Sequence, residues 1–200
     1  MSLAATLREA LKLGRRSDPI LLEGDAFDPL EEGRQPITPA AVLVPVVERP
    51  DPTVILTLRP DTLRRHAGQI AFPGGRIDPH DRDETDAALR EAEEEIGLQR
   101  ADVDVVGVAD RYRTITGFEV TPVVGVVPPD LPLTPQAEEV AAIFEAPLHY
   151  LLRPEHHVVR TIEWQGRERC YYEILWEDRR IWGATAAMIV NLSRRLALVS

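Results

Sequence analysis

The densest chemistry in the chain lies in one short run, where Arg90 is followed by Glu91, Glu94 and Glu95. At helical spacing Glu91 and Glu94 stand three residues apart and Glu91 and Glu95 four apart, so the three carboxylates are expected to share one face. Like charges stacked in this way weaken a helix by roughly a few tenths of a kcal/mol per pair, which invites a compensating cation. Clustered oxygen ligands suit a hard ion, Mg²⁺ or Mn²⁺, better than zinc. An Ala/Glu-rich helix taken alone is more often a solvated face. Its setting argues otherwise, because Gly74 and Gly75 precede the acids and Gly97 offers a C-cap that a merely solvated helix does not need. Residues without a Cβ also let the backbone approach a ligand closely. Arg90 is expected to orient one of the glutamates through a bidentate pair. Glu93, between the other acids, should point elsewhere.

Positioning such a cluster takes a helix and a sheet. Residues 3–14 read as an amphipathic helix, and Arg15–Pro39, rich in Asp, Pro and Glu, as a loop wrapped over the surface. Ala40–Val47 and Val54–Leu58 are β-branched runs separated by a proline-containing turn. Gln69–Phe72 reads as a short strand into the glycines, and Thr85–Ile96 as the acidic helix, capped by Thr85 or Asp83. Asp102–Val108 and Phe118–Val127 are further strands. A proline-rich loop and a helical start or turn at Gln136–Val140 follow. Val158–Trp164 and Glu168–Trp176 form a hairpin, and a last helix opens at Trp182-Gly183-Ala184-Thr185 and runs through Leu198. Continuous apolarity implies strands covered on both faces, as between helix layers. The fold class is therefore α/β, a sandwich around a mixed β-sheet.

Composition narrows the function. Two hundred residues suit one domain with short terminal additions. The net charge of −10 argues against a nucleic-acid partner. It leaves open a phosphorylated small molecule, since bound cations reverse the local sign. A single cysteine, Cys170, excludes an internal disulfide and suits a reducing compartment; its apolar neighbours suggest a core position. The sequence shows no membrane span and no signal-peptide core, so a cytoplasmic protein is expected. His156 and His157 lack a third ligand at zinc spacing, and Trp164, Trp176 and Trp182 suit sheet packing better than base stacking.

The run around the acids resembles the Nudix box, G-x5-E-x7-R-E-U-x-E-E-x-G-U, where U is aliphatic. Arg90, Glu91, Ala92, Glu94, Glu95, Gly97 and Leu98 match residue for residue. The first half departs: six residues on from Gly75 stands Asp81 in place of Glu, and Arg90 follows one residue late. The loop is thus one residue longer, which leaves the roles of Asp78 and Asp81 open. Upstream, Ile55-Leu56-Thr57-Leu58-Arg59, then Arg64, Gly68 and Phe72-Pro73-Gly74-Gly75, resemble the signature L-L-T-x-R-(S/A)-x3-R-x3-G-x3-F-P-G-G of the coenzyme A pyrophosphatase branch. Ile55 replaces Leu, and Pro60 stands in the Ser/Ala position.

The resemblance implies a Nudix-type α/β/α sandwich over residues 38–200, preceded by a helix and wrapping loop at 1–37. It also implies metal-dependent cleavage of the pyrophosphate in coenzyme A to 3′,5′-ADP and 4′-phosphopantetheine. Glu91, Glu94 and Glu95 would hold Mg²⁺ or Mn²⁺, with Arg90 as their orienting residue. Glu94, Glu95 and Glu139 are candidates for the general base. Glu139 qualifies because its spacing to Leu148 resembles that of an extra acid kept by some Nudix enzymes, although a solvated loop glutamate would look the same. Arg59, Arg64, Gly68, Phe72, Gly74 and Gly75 would bind substrate. Arg59 or Arg64 could select the 3′-phosphate of coenzyme A or could simply pair with nearby acids. ADP-ribose or a dinucleotide is the alternative substrate, and a ligand-sensing domain without catalysis the alternative of another kind.

Overall fold

A computed structural model describes residues 2–14, 37–62, 67–114, 116–164 and 167–197. The expected wrapping loop lies outside the described residues up to residue 36, and its last two residues, Thr38 and Pro39, open a strand; Arg64 also lies outside the described residues. In chain order the elements are α1 (Leu3–Gly14), β1 (Thr38–Val47), β2 (Thr53–Leu58), β3 (Ile70–Ala71), β4 (Gly74–Arg76), α2 (Glu84–Ile96), β5 (Asp104–Val108), β6 (Tyr112–Arg113), β7 (Phe118–Val127), β8 (Ala142–Pro147), α3 (Leu148–Leu152), β9 (Val158–Trp164), β10 (Arg167–Trp176), β11 (Arg179–Trp182) and α4 (Ala184–Leu196).

The β-branched runs of β1 and β7 pair in parallel along their whole length, from Thr38 beside Phe118 to Val47 beside Val127. Every other pairing in this sheet is antiparallel, so the sheet is mixed, in the order β3-β2-β1-β7-β5. β1 and β2 meet only at Val46–Val54 and Val47–Thr53 and then diverge. A wedge fills the gap between them. β3 pairs with the far end of β2, β4 pairs with the first half of β1, and Phe72-Pro73 joins the two. The Pro73 carbonyl accepts from the Leu43 N–H at 2.9 Å and pins the wedge to β1.

Alternation along β1 sends side chains to two separate cores. On one face Ala41, Leu43, Val47, Ile55, Val123 and Val127 meet α2 through Ala87, Ala88, Ala92 and Ile96. On the other, Val44, Val46, Val54, Leu56 and Val124 meet α1, α4 and the second sheet through Leu7, Leu11, Ile174, Ile181 and Ile189. That second sheet has the order β11-β10-β9. The architecture is the expected α/β/α sandwich. Alanines on α2 seat that helix close to β1 and β4. Each fully buried Val, Leu or Ile contributes about 1.5–3 kcal/mol, so the two cores, and not helix propensity, fix α2 in place. No helix among the described residues is long and apolar enough to cross a membrane.

Candidate active site

Asp83 caps α2 by accepting from the Asp86 N–H at 2.8 Å, and Gly97 closes it in the left-handed region at φ 70°. These ends set the phase of the acids. Glu95 points inward with its side chain 5% exposed, and its Oε2 accepts from the Gly74 N–H at 3.1 Å. Glu91 lies one turn earlier against Gly75, where an added Cβ would stand 2.6 Å from its carboxylate. Glu94 is 59% exposed and does not share their buried face, so the three acids are less alike than their spacing implied. Glu93 points away as expected and meets Arg100 Nε at 3.4 Å. Glu93→Gln is therefore expected to leave turnover and melting temperature close to those of the parent. Damage comparable to a Glu95 substitution would overturn this phase.

Arg90 organises the cluster, though its bidentate partner is a different residue from the one expected. Its Nε and Nη2 both donate to Asp81 at 2.9 Å, Nη1 donates to Glu91 and Glu94 at 2.9 Å, and Nη2 also reaches the Arg76 carbonyl at 3.1 Å. Asp81 is only 3% exposed and accepts the Asp78 N–H at 2.7 Å as well. Its bond to Arg90 holds its carboxyl below the ordinary range. Asp78 stands out in solvent, 3.9 Å from Arg90. The loop thus carries a buried acid that grips the arginine, which in turn aims two glutamates. Sequence reasoning left this role open; the signal available was the acid six residues after Gly75.

The remaining residues divide. Arg59, just past β2, brings Nη1 to 3.9 Å from Glu95 Oε1, and its buried Nε has no partner among the described residues. Glu139 lies in a loop tied to the end of α2 by Thr134 N–H to the Ile96 carbonyl (2.9 Å) and Gln136 N–H to the Glu95 carbonyl (2.8 Å). Its charge reaches both Glu91 and Glu95. Gly68, at φ 66°, makes a turn beside Asp61. Phe72, expected at the substrate, is 3% exposed in the core opposite α2, where it anchors the wedge. His156 and His157 donate to the Tyr150 and Leu151 carbonyls at 2.8 Å and finish α3. Cys170 is half-buried, not in the core.

Burial raises both inner carboxyls. Glu95 is pushed up to about 7, with Glu91 and Glu139 adding to the effect and the Gly74 N–H and Arg59 opposing it. Glu91 rises for the same first reason, against the pull of Arg90. Among the described residues no three acidic, histidine or cysteine side chains already converge as a cation cage. The donor set nevertheless fits a hard divalent ion, since crowded, poorly solvated carboxylates gain most from one. The glycines separate by what they abut. A Cβ on Gly74 would meet the Ala41 carbonyl at 2.4 Å, whereas one on Gly75 would meet the movable end of Glu91 first. Gly75→Ala should therefore stay folded and lose turnover about tenfold, while Gly74→Ala should fail to fold or melt many degrees lower. A soluble, fully active Gly75→Ala enzyme would remove Glu91 from the site.

The NUDIX domain profile matches residues 37–180. The chain belongs to the Nudix family. A protein named uncharacterized Nudix hydrolase NudL from Cronobacter sakazakii is 46% identical over 157 residues, covering 78% of this chain and 82% of its own. Its namesake in Yersinia pestis (strain Pestoides F) is 43% identical over 159 residues, covering 80% of each chain. Among solved structures, the M. smegmatis Nudix hydrolase RenU aligns with a TM-score of 0.49 at 24% identity, over 57% of this chain and 73% of that one. The Nudix box here is the loop and helix from Gly75 to Leu98, with Asp81 in the position of its first acid.

Proposed function

We propose that this Nudix hydrolase cleaves the pyrophosphate of coenzyme A and its derivatives, releasing 3′,5′-ADP and 4′-phosphopantetheine. The observation that carries the reading is where the upstream signature sits. Arg59 and Gly74, both signature residues, contact the same buried box carboxylate, Glu95. The signature is thus part of the reaction centre and not a remote decoration.

Mg²⁺ or Mn²⁺, held by Glu91, Glu94 and Glu95, would neutralise the pyrophosphate and make a bound water more acidic. The chain's own contribution is arrangement. Asp81 fixes Arg90, and Arg90 Nη1 fixes Glu91 and Glu94. The Gly74 N–H sets Glu95 Oε2. Glu94 and Glu95 are both engaged in these bonds, whereas the Glu139 carboxylate carries no hydrogen bond among the described residues, which suits it to accept the proton of the attacking water. Arg59 lies at the pyrophosphate end of the site, so its guanidinium serves the scissile group and not a distant 3′-phosphate.

The test is release of 3′,5′-ADP from coenzyme A with Mg²⁺ or Mn²⁺, run beside ADP-ribose and NADH. A higher kcat/KM on either of the latter would sink the coenzyme A reading. Arg59→Ala should lower kcat/KM about tenfold, in line with losing ~1.5 kcal/mol from one charged hydrogen bond. The loss should be equal on coenzyme A and dephospho-coenzyme A. A loss confined to coenzyme A would move Arg59 to the 3′-phosphate.

A further inference from the structure

β9–β11 carry a cluster that the reaction centre leaves unused. The inner face of this sheet, with Tyr172, Ile174 and Ile181, packs into the core opposite α2. Register places Val158, Glu173 and Trp182 side by side on the other face, together with Arg160, Tyr171 and Arg180. Glu173 is buried there, although it lies on the outward side. It accepts Arg160 Nε at 3.0 Å and also Arg180 Nε, so one carboxylate pins two guanidiniums that remain about half exposed. Arg180 also donates to the Tyr171 hydroxyl at 2.9 Å and lies over two rings, 4.9 Å from the centre of Trp182 and 5.8 Å from that of Tyr171. No partner is seen for Arg180 Nη1 among the described residues.

One edge of this sheet lies beside the wedge that carries the signature glycines. β11 packs on β3, and just past Trp182 the Thr185 hydroxyl donates to the Ile70 carbonyl at 3.1 Å. On the other edge of β3 the Arg59 N–H donates to the Gln69 carbonyl at 3.0 Å. β11 thus lies one strand, β3, away from the strand that ends beside Arg59. Resting on the coenzyme A reading, we propose that the Arg160–Glu173–Arg180 triad with Trp182 and Tyr171 docks the adenosine 3′-phosphate end of the substrate. The charge fits: two fixed guanidiniums over one carboxylate leave a local excess of positive charge in a chain of net charge −10. The chemistry fits as well. Guanidinium edges offer paired donors to a phosphate monoester, and guanidinium planes and indole rings are surfaces on which bases stack.

The test is calorimetric titration of the whole protein with 3′,5′-ADP and with 5′-AMP, which lacks the 3′-phosphate. Wild type should bind 3′,5′-ADP at least tenfold more tightly. Arg180→Lys, which keeps the charge but loses the fork, should erase most of that preference, and Trp182→Leu should weaken both ligands about tenfold. Absence of a preference in wild type, or a preference unchanged in folded Arg180→Lys, overturns the assignment and leaves the triad as a fastener between strands. Because the titration involves no hydrolysis, failure to cleave coenzyme A would sink the preceding reading and show itself separately.

Discussion

Glu95→Gln is expected to reduce turnover by ~10²-fold or more while making the metal-free protein more stable above neutral pH. The first effect follows from removing a charge placed against the reacting pyrophosphate, where fixed electrostatics contribute most. The second follows from burial. The Glu95 carboxyl is raised from an ordinary 4.5 to about 7, so the folded state binds its proton more tightly than the unfolded chain does. Its stability contribution is therefore most favourable below about 4.5, declines as pH rises, and is fully unfavourable above about 7. Glutamine stays neutral, keeps an oxygen for the Gly74 N–H and removes a penalty on the order of 2–3 kcal/mol at pH 8. Thermal melts in chelator should show the variant a few degrees higher at pH 8, with the difference gone at pH 4.5. A variant that melts lower at pH 8, or that turns over normally, would show that Glu95 is a structural acid.

Asp81→Asn should be damaging to both stability and activity. The neutral amide cannot accept both donors of Arg90, which is left partly buried with a broken fork. Removing one member of a buried pair typically costs 3–5 kcal/mol. Arg90 keeps Glu91, Glu94 and the Arg76 carbonyl, so about 2 kcal/mol is the better expectation, or ~4–8 °C in Tm for a chain of this length. Glu91 and Glu94 then lose their common anchor, and kcat should fall further than KM rises. The sharper experiment pairs substitution with deletion. Asp81→Glu alone should resemble Asp81→Asn, because one added methylene overfills the pocket. Asp81→Glu combined with deletion of Arg82 should recover much of the activity, since the acid then stands eight residues before the arginine, the spacing of the box. Equal activity in all three proteins would show that the Asp81–Arg90 pair does not position the glutamates.

Much of this site could be read from sequence because its parts are local. The Asp83 cap, the alanine stripe and Gly97 define α2 within itself, and the β-branched runs announce β1 and β7. What could not be read depends on distant partners. Gly74–Arg76 looks like a turn, and only the exposed edge of β1 makes it a strand. β8, with the sequence Ala142-Ile143-Phe144-Glu145-Ala146-Pro147, mixes polar and apolar residues and becomes a strand by pairing along all of β2. β11 opens with two arginines and closes on a tryptophan, a pattern explained by the two different surfaces it faces. The burial of Phe72 was hidden for the same reason: its face depends on how β3 meets β2. The Asp81–Arg90 fork spans nine residues and was hidden by the extra loop residue.

The wedge between β1 and β2 needs a firm backing, and that backing comes from outside the span the family profile covers. Residues 37–180 include the whole main sheet but neither α1 nor α4, which bury Leu7, Leu11, Ala187 and Ile189 against the face opposite α2. A protein trimmed to the matched span would keep every box and signature residue and still bare a broad apolar surface around Val106, Val124 and Ile174. Minimal versions made for inhibitor screening or crystal growth should therefore begin at the first helix and run through Leu196. Trimming to the box-bearing sheet alone would turn a catalyst into an aggregate.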